Sequence, residues 1–363
     1  MSRPPSKARR RSRGRPASSR GDGAREAAPA TRDHHPARRT GSSRRARSAD
    51  ARVVIPGDVE VVEFPVDGRV VKLTNLGKVF WPEIGFTKRD LLQYYADVAG
   101  ALLPHLRDRA MVMKRYPNGA AGEFFFMKRA PTPRPAWIET CSIEHASGNV
   151  IDFPMIQDVS ALLWVVNLGC IDLNQWYARC DDVDRPDYLH FDLDPGDAVA
   201  FDQVCEVARL LHGMLRGLDL PDLVKTSGSK GLHVYVPIVR GPTQKDVWTV
   251  AKALSLDLAR KHPTLMTAEY RRERRPPGRV LVDFNQNAWG RTLASIYSVR
   301  PRPRASVSTP VTWDEIDRGI QIDDFRVDNV PARVAKLGDL WQPLLARGGR
   351  ADLRRLLAAT RAG

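Results

Sequence analysis

The feature that most constrains the fold is the irregular order of strand-like and helix-like segments that begins at Val53. Short runs rich in β-branched and aromatic residues mix with longer amphipathic stretches, without an internal repeat or a regular strand-helix alternation. This order predicts the α+β class. The predicted strands are Arg69–Leu73, Glu123–Lys128, Tyr188–Leu193, Leu223–Thr226, Leu232–Val236 and Val280–Phe284. The predicted helices begin after Thr87 and cover Ser160–Cys170, Phe201–Leu215 and Lys245–Lys261.

Positive charge is concentrated at the N-terminus. Residues 1–52 hold 16 Lys and Arg against four acids, a net charge of +12, whereas the other 311 residues carry only +3. The first 52 residues also lack aromatic residues and apolar periodicity, so they are predicted to be a disordered basic tail before a catalytic domain at 53–363. The tail is either a solvated extension or a weak, salt-sensitive attractor of DNA phosphates. DNA binding by the folded part must therefore rest on specific residues.

Composition indicates a globular intracellular protein. Hydrophobic residues make up 42% of the chain, which is enough for a large core, and no run of 18 apolar residues or secretory signal is present. We therefore expect a soluble cytoplasmic protein without a membrane partner. The four cysteines are widely spaced and form no zinc-ligand pattern, so they are interpreted as reduced, mostly buried thiols: Cys141, Cys170, Cys180 and Cys205.

Two acids share one face of the strand Tyr188–Pro195. The alternation puts Leu189, Phe191 and Leu193 on one side, and His190, Asp192 and Asp194 on the other. Like charges at such positions repel each other unless a cation or a shared proton offsets them. This arrangement favours a divalent metal site at Asp192 and Asp194.

An Asp-x-Asp triplet alone is weak support, because a second one, Asp182-Val-Asp184, lies in a polar stretch that we interpret as a solvated loop. The stronger indication is a third acid, Asp283, at the end of the hydrophobic run Val280–Phe284. A two-metal phosphoryl-transfer site needs three such carboxylates. Taken alone, Asp283 would be better explained as an acid that caps a helix or stabilises a turn.

A Gly- and Ser-rich turn lies between these acids in the sequence. In Ser227-Gly-Ser-Lys-Gly-Leu-His233, two glycines allow backbone N–H groups to converge, and Lys230 adds a positive charge, so the turn is suited to a triphosphate. His233 lies on the polar face of the following strand. A plain hairpin with a structural histidine is the alternative, but the position between the acids favours nucleotide binding.

The ordered motifs resemble the polymerase domain of bacterial ligase D, a member of the archaeo-eukaryotic primase superfamily that serves non-homologous end joining. The resemblance runs from about Leu73 to the C-terminus. Its motifs are Asp192-Leu-Asp-Pro195, Ser227–His233, Asp283-Phe-Asn-Gln-Asn287, Tyr297-Ser-Val-Arg300, Val307–Glu315 and Asn329-Val-Pro-Ala-Arg333. It implies a primase-polymerase fold with antiparallel or mixed sheets flanked by helices.

The resemblance also implies a set of active-site residues. Two divalent ions, Mn²⁺ or Mg²⁺, would be held by Asp192, Asp194 and Asp283. The residues implied around the incoming nucleoside triphosphate are Ser227, Lys230, His233, Gln286 and Arg300. One departure is Asn174, which stands where many ligase D members carry His, so one active-site contact is expected to differ.

A further set of residues is implied to bind DNA. Lys78 and Lys88 match lysines that bind the 5′ phosphate beyond a gap, and Phe125 and Phe126 match paired phenylalanines that stack on bases. Lys114 matches a basic strand end beside the template. Ordinary surface lysines and a strand buried on both faces are the alternatives. Lys88 begins a helix after Thr87, which has capping-box spacing to Asp90, so free N–H groups are expected beside Lys88 to help hold an anion.

The resemblance further implies a nucleotidyltransferase that acts on gapped or broken duplex DNA with a 5′ phosphate and associates with the bacterial nucleoid. The chain has no Lys-x-Asp-Gly ligase motif, so it is expected to be a stand-alone polymerase that needs a separate ATP-dependent DNA ligase and a Ku-type protein. Two alternatives remain open. One is a primase-polymerase that starts chains de novo, and the other is a non-catalytic module that bridges DNA ends.

Overall fold

Strands and helices follow one another irregularly in the structure, a computed structural model that describes residues 52–145 and 147–362. The predicted tail therefore lies outside the described residues, except for Arg52. The strands are β1 Val61–Val66, β2 Arg69–Thr74, β3 Val79–Trp81, β4 Phe86–Thr87, β5 Met111–Arg115, β6 Phe125–Met127, β7 Thr140–Glu144, β8 Val150–Pro154, β9 Cys170–Trp176, β10 Tyr188–Pro195, β11 Leu223–Thr226, β12 Leu232–Pro237, β13 Met266–Thr267, β14 Val280–Asp283, β15 Thr292–Ala294 and β16 Pro310–Val311. The helices are α1 Lys88–Leu106, α2 Val159–Asn167, α3 Phe201–Gly217, α4 Gln244–Lys261, α5 Trp313–Arg318, α6 Val330–Leu337, α7 Gln342–Leu345 and α8 Arg354–Ala362. The predicted α+β class is confirmed.

The larger sheet has six strands in the order β13-β14-β10-β12-β11-β16. All its pairs are antiparallel except β13 with β14. Leu189, Phe191 and Leu193 of β10 are fully buried, and helices α3 and α4 pack against this strand. Burying each of these side chains contributes about 1.5–3 kcal/mol. Helices therefore cover the apolar face of β10, and the polar face, which carries the acids, is available for an active site.

A second sheet of four strands, in the order β15-β9-β5-β6, lies near the polar side of the first. One of its two central strands, β9, is buried at every position, so its polar residues do not mark an exposed face. Sequence analysis did not predict β9 and extended the preceding helix to Cys170. The helix ends at Asn167 because Gly169 adopts a φ of 81°, which turns the chain into β9.

The capping box before α1 forms as predicted. The Thr87 hydroxyl accepts from the Asp90 N–H, and the Asp90 carboxylate accepts from the Thr87 N–H. The free N–H groups expected beside Lys88 are absent, however, which corrects that prediction. Lys88 N–H donates to the Lys78 carbonyl at 2.8 Å and Arg89 N–H to the Leu76 carbonyl at 3.0 Å.

The interpretation of all four cysteines as thiols is wrong for two of them. Cys141 of β7 and Cys180, which follows β9, form a disulfide with Cα atoms 5.9 Å apart, although 39 residues separate them in the sequence. Packing of the β7–β8 hairpin beside the end of β9 brings them together, and spacing alone does not reveal this. Cys170 and Cys205 are free and buried, as predicted.

Among the residues that the structure describes, no helix is both long and apolar enough to cross a membrane.

Candidate active site

Four polar residues form a row across four neighbouring strands of the larger sheet. Asp192 of β10 pairs with Asp283 of β14 on one side and with His233 of β12 on the other, and His233 pairs with Lys225 of β11. Residues directly opposite one another in antiparallel strands have Cβ atoms about 4.5–5.5 Å apart on the same face. Asp194 lies two residues beyond Asp192 on this face. The sheet register therefore brings the three predicted acids together.

Burial raises the pKa values of all three acids, and repulsion between the acids adds to the effect at two of them. Burial raises the pKa of Asp192 from 3.8 to about 6. Burial also raises the pKa values of Asp194 and Asp283, and the negative charge of Asp192 raises both further. Three carboxylates that resist ionisation beside one another are stabilised by a cation.

The donor set suits divalent metal ions, since hard cations such as Mg²⁺ and Mn²⁺ prefer carboxylate oxygens. Within residues 52–145 and 147–362, however, no group of three Asp, Glu, His or Cys side chains is arranged to hold an ion as it stands. Part of the reason is that Asp283 accepts hydrogen bonds from Asn285 N–H at 2.8 Å and Gln286 Nε2 at 3.0 Å. The acids share a face, and binding an ion would require their side chains to converge.

Lys225 lies beside His233 on the neighbouring strand and is fully buried. Its Nζ lies 2.8 Å from His233 Nδ1, 3.0 Å from the Ala294 carbonyl and 2.5 Å from Ser308 Oγ. His233 Nε2 in turn lies 3.3 Å from Asp192 Oδ1. Burial lowers the pKa of His233 well below its ordinary value, and Lys225 and Arg300 lower it further, so the imidazole is neutral. Lys225 therefore fixes the orientation of a neutral imidazole against the central acid.

The Gly- and Ser-rich turn is closed by its own first serine. Ser227 Oγ accepts from the N–H groups of Ser229 at 3.2 Å and Gly231 at 3.0 Å, so two of the N–H groups expected to face a phosphate are already used. Gly231 is required here because a Cβ would lie 2.0 Å from the Leu193 carbonyl oxygen. The turn is thus packed directly against β10, and Lys230 is carried to the edge of the acid site.

A pocket of about 280 Å³ between the two sheets collects most of the predicted residues. Its lining includes Asp192, Asp194, Ser227, Lys230, His233, Gln286 and Arg300. The smaller sheet contributes Asn174 of β9 and the three residues of β15. All five residues expected around a nucleotide therefore face one space beside the acids.

Arg300 is held in this pocket by an acid that sequence analysis missed. Asp172 of β9 is buried, and its Oδ2 lies 3.5 Å from Arg300 Nε. Asn174 Nδ2 donates to the carbonyl and, at 3.3 Å, to the carboxylate of the same Asp172. The sequence did contain an indication of a strand here, since Asp172 and Asn174 alternate with apolar residues. Without knowledge of β9 it could not be assigned to the site.

Phe125 and Phe126 lie on the outer strand of the smaller sheet. They are 43% and 58% exposed, and the preceding Phe124 is 50% exposed, so the alternative of a strand buried on both faces does not hold. Lys114 Nζ of β5 lies 4.0 Å from the centroid of the Phe124 ring and 5.7 Å from that of Phe126. The pairing of β5 with β6 thus builds an aromatic surface with a cation at its centre.

Lys78 and Lys88 lie close together, away from the acids. Lys78 Nζ is exposed and donates to the Pro117 carbonyl at 2.8 Å, whereas Lys88 is buried and its Nζ donates to the Thr74 carbonyl at 2.6 Å. Burial lowers the pKa of Lys88 to about 8, and the charges of Lys78 and Arg115 lower it further. This concentration of positive charge would be stabilised by an anion.

Comparison with known proteins identifies the architecture. The family model described as "LigD, primase-polymerase domain" matches residues 87–341. The chain belongs to the LigD primase-polymerase domain family. The "Multifunctional non-homologous end joining protein LigD" of Mycolicibacterium smegmatis is 36% identical over 284 residues, which are 78% of this chain and 37% of that protein. The bifunctional LigD of Bacillus subtilis is 28% identical over 74% of this chain and 43% of its own length.

A solved structure extends this similarity to three dimensions. The polymerase domain of Mycobacterium tuberculosis ligase D in complex with DNA has a TM-score of 0.72 and 32% identity, and the match covers 76% of this chain and 98% of that domain. The predicted family, fold and nucleotidyltransferase class of this LigD-type domain are thus confirmed. Polymerases of this kind use nucleoside triphosphates and divalent metal ions. The chain spans less than half the length of the LigD proteins that it matches.

Proposed function

We propose that this protein adds nucleotides to gapped or broken DNA ends during end joining, with two divalent metal ions at Asp192, Asp194 and Asp283. The observation that carries the proposal is the row of paired carboxylates on β10 and β14 beside a pocket lined with cations. Mn²⁺ and Mg²⁺ both suit an all-carboxylate set. When bound, the ions would lower the pKa of the attacking 3′ hydroxyl and neutralise charge on the transferred phosphoryl group.

The chain's own residues position the nucleotide. Lys230 and Arg300 would bind its phosphates, Arg300 through two parallel hydrogen bonds from its planar guanidinium. The contact of Arg300 with Asp172 orients the guanidinium before the nucleotide arrives. Gln286 bridges Asp283 and the pocket, so it can hold the carboxylate while it contacts the nucleotide. His233 Nδ1 is held by Lys225, so Nε2 is the ring nitrogen that would contact the nucleotide, in exchange for its 3.3 Å contact with Asp192 Oδ1.

The aromatic surface around Lys114 is suited to the template strand. Stacking on exposed rings contributes about 1–3 kcal/mol per base and tolerates any sequence, which suits an enzyme that meets arbitrary ends. Lys114 would bind the backbone of the stacked strand. Lys78 and Lys88, with Arg115 nearby, would bind the 5′ phosphate on the far side of a gap.

Lys78→Ala combined with Lys88→Met should remove any preference for a gapped duplex with a 5′ phosphate over one with a 5′ hydroxyl. Methionine retains the buried stem of Lys88. Each lost charged contact contributes about 1.5–3 kcal/mol, so the wild-type preference should be about tenfold or more. The preference should weaken as the pH rises through about 8, where Lys88 loses its proton. Equilibrium binding at fixed salt measures it.

Lys336→Ala is the matched control, because it removes an exposed lysine on α6. If the wild type binds the 5′ phosphate and 5′ hydroxyl duplexes with equal affinity, recognition of the gap by these lysines is refuted. The proposal that the protein adds nucleotides would not be affected. A control variant that also loses the preference would indicate a general charge effect.

The partners of this activity are proposed on chemical grounds. A polymerase leaves a nick after filling a gap, so a separate ATP-dependent ligase would seal it, and a Ku-type protein would bring ends together. Association with the nucleoid follows from affinity for DNA, to which the basic residues 1–52 would add weak attraction.

De novo priming remains the second candidate for the same site. A non-catalytic bridging role is disfavoured, since it has no use for three crowded acids.

A further inference from the structure

A second, larger cavity lies at the edge of the six-stranded sheet. This groove, of about 830 Å³, runs between helix α4 and residues 267–276, which include the end of the edge strand β13. Its inner end is formed by Phe284 and Asn285, the two residues that follow Asp283. The pocket expected to hold the nucleotide lies on the other side of Asp192, beside β12 and β15.

Hydrogen bonds connect the groove directly to the acid site. Trp248 Nε1 in the groove wall donates to Asn285 Oδ1 at 3.1 Å, and Asn285 N–H donates to Asp283 Oδ1 at 2.8 Å. Arg275 holds the opposite wall by donating to the carbonyls of Glu269 at 3.2 Å and Tyr270 at 3.1 Å. The positive charge of Arg275 also acts on Asp283 and Asp194. The groove therefore ends at the two residues that follow Asp283, although Asp283 itself does not line it.

The walls combine aromatic rings with cations. Lys252 Nζ lies 5.0 Å from the centroid of the Trp248 ring, and Tyr270 is 53% exposed. Lys252, Arg260 and Arg291 line the groove against a single acid, Glu269. Rings that stack with bases and cations that bind the backbone are the two elements of a site for single-stranded nucleic acid.

We infer that this groove holds the last nucleotides of the DNA strand that supplies the 3′ hydroxyl. The inference rests on the proposed function and names a binding site for its second substrate. In phosphoryl transfer the attacking and leaving oxygens lie in line on opposite sides of phosphorus. Most of the nucleotide pocket lies on the β12 side of Asp192, and Gln286 reaches it from the β14 side, so the hydroxyl should approach from the side of β14. The groove is the cavity that begins there, whereas the aromatic surface of β6 belongs to the other sheet.

Kinetics with the whole 363-residue chain test the groove. Lys252→Ala combined with Arg291→Ala should raise the KM for a single-stranded 3′ primer end about tenfold or more, since two phosphate contacts are lost. The KM for the nucleoside triphosphate should remain unchanged. The slope of log affinity for single-stranded DNA against log salt should become shallower by about 1.4, or 0.7 for each lost contact. Tyr270→Ala should raise the primer KM without changing this slope.

The matched control is Lys261→Ala, which removes a positive charge from the same helix. Lys261 does not line the groove, and its Nζ lies 2.7 Å from Asp257 Oδ2. It should leave the primer KM at the wild-type value. If the double variant also retains the wild-type primer KM and salt slope, the groove is not the primer site. A rise in the nucleotide KM alone would likewise overturn the inference. Failure of the wild type to add any nucleotide would instead refute the proposed function.

Discussion

Asp192→Asn should abolish nucleotide addition and, at the same time, make the metal-free protein more stable. Asp192 is the central acid of the row, opposite Asp283 and two residues from Asp194. Loss of the oxygen proposed to bind the metal ions should remove several kcal/mol of transition-state stabilisation, which corresponds to a decrease of about a thousandfold or more in rate. DNA binding should be retained, because the proposed DNA contacts lie elsewhere.

The gain in stability follows from the raised pKa. The folded protein holds the Asp192 proton up to about pH 6, whereas the unfolded chain releases it near 3.8. Stability therefore falls as the pH rises from about 4 to 6, and above pH 6 the ionised acid costs on the order of 3 kcal/mol. Asparagine does not ionise, so the variant should melt a few degrees higher at pH 7.5 and at the wild-type temperature near pH 4.

Calorimetry with and without Mn²⁺ measures both parts of this prediction. Mn²⁺ should stabilise the wild type and have little effect on Asp192→Asn, because a ligand that binds only the folded state raises its stability. Normal nucleotide addition by the variant at saturating Mn²⁺ would show that Asp192 is not a metal ligand. A variant that is less stable than the wild type at pH 7.5 would contradict the electrostatic account.

Lys225→Met should reduce kcat/KM for the nucleotide about tenfold or more, the effect of losing one hydrogen bond to a charged group. Methionine matches the buried stem but leaves the position of His233 beside Asp192 undefined. The change in stability should be small by comparison. Burial lowers the pKa of Lys225, so removing this buried amine is favourable, while the unpaired Ala294 carbonyl and Ser308 hydroxyl are unfavourable. The primer KM should be unchanged.

A double-mutant cycle separates positioning from a general structural effect. If Lys225 acts through His233, then Lys225→Met should have little further effect on nucleotide addition in a His233→Ala background. Lys72→Met, at an exposed lysine of β2, is the control for the substitution itself. Fully additive losses from Lys225→Met and His233→Ala would contradict the positioning role.

The sequence predicted individual strands well, because alternation is a local property. The residues of β10 and β11 were assigned almost to their observed ends, and the acids were placed on the correct face of β10. The row from Lys225 to Asp283 was not predictable from pattern alone. It depends on the strand order β14-β10-β12-β11 and on the register, both of which are set by packing between segments far apart in the chain.

The other differences have the same origin. Strand β9 is buried on both faces, and the short alternation of Asp172 and Asn174 with apolar residues was not enough to assign it as a strand, so the role of Asp172 was missed. The Cys141–Cys180 disulfide and the groove beside α4 arise where distant segments meet. The N–H groups of Lys88 and Arg89 are occupied because the loop 75–78 folds back onto the start of α1.

The most direct test is single-turnover addition to a duplex with a one-nucleotide gap, a 3′ hydroxyl and a 5′ phosphate, in the presence of Mn²⁺. The wild type should add the one templated nucleotide, should stop when the metal is chelated, and should fail on a template without a primer. Synthesis on that primer-free template would instead establish de novo priming. No addition to the gapped duplex by a folded, DNA-binding wild type, or equal addition by Asp192→Asn, would contradict a metal-dependent end-joining polymerase.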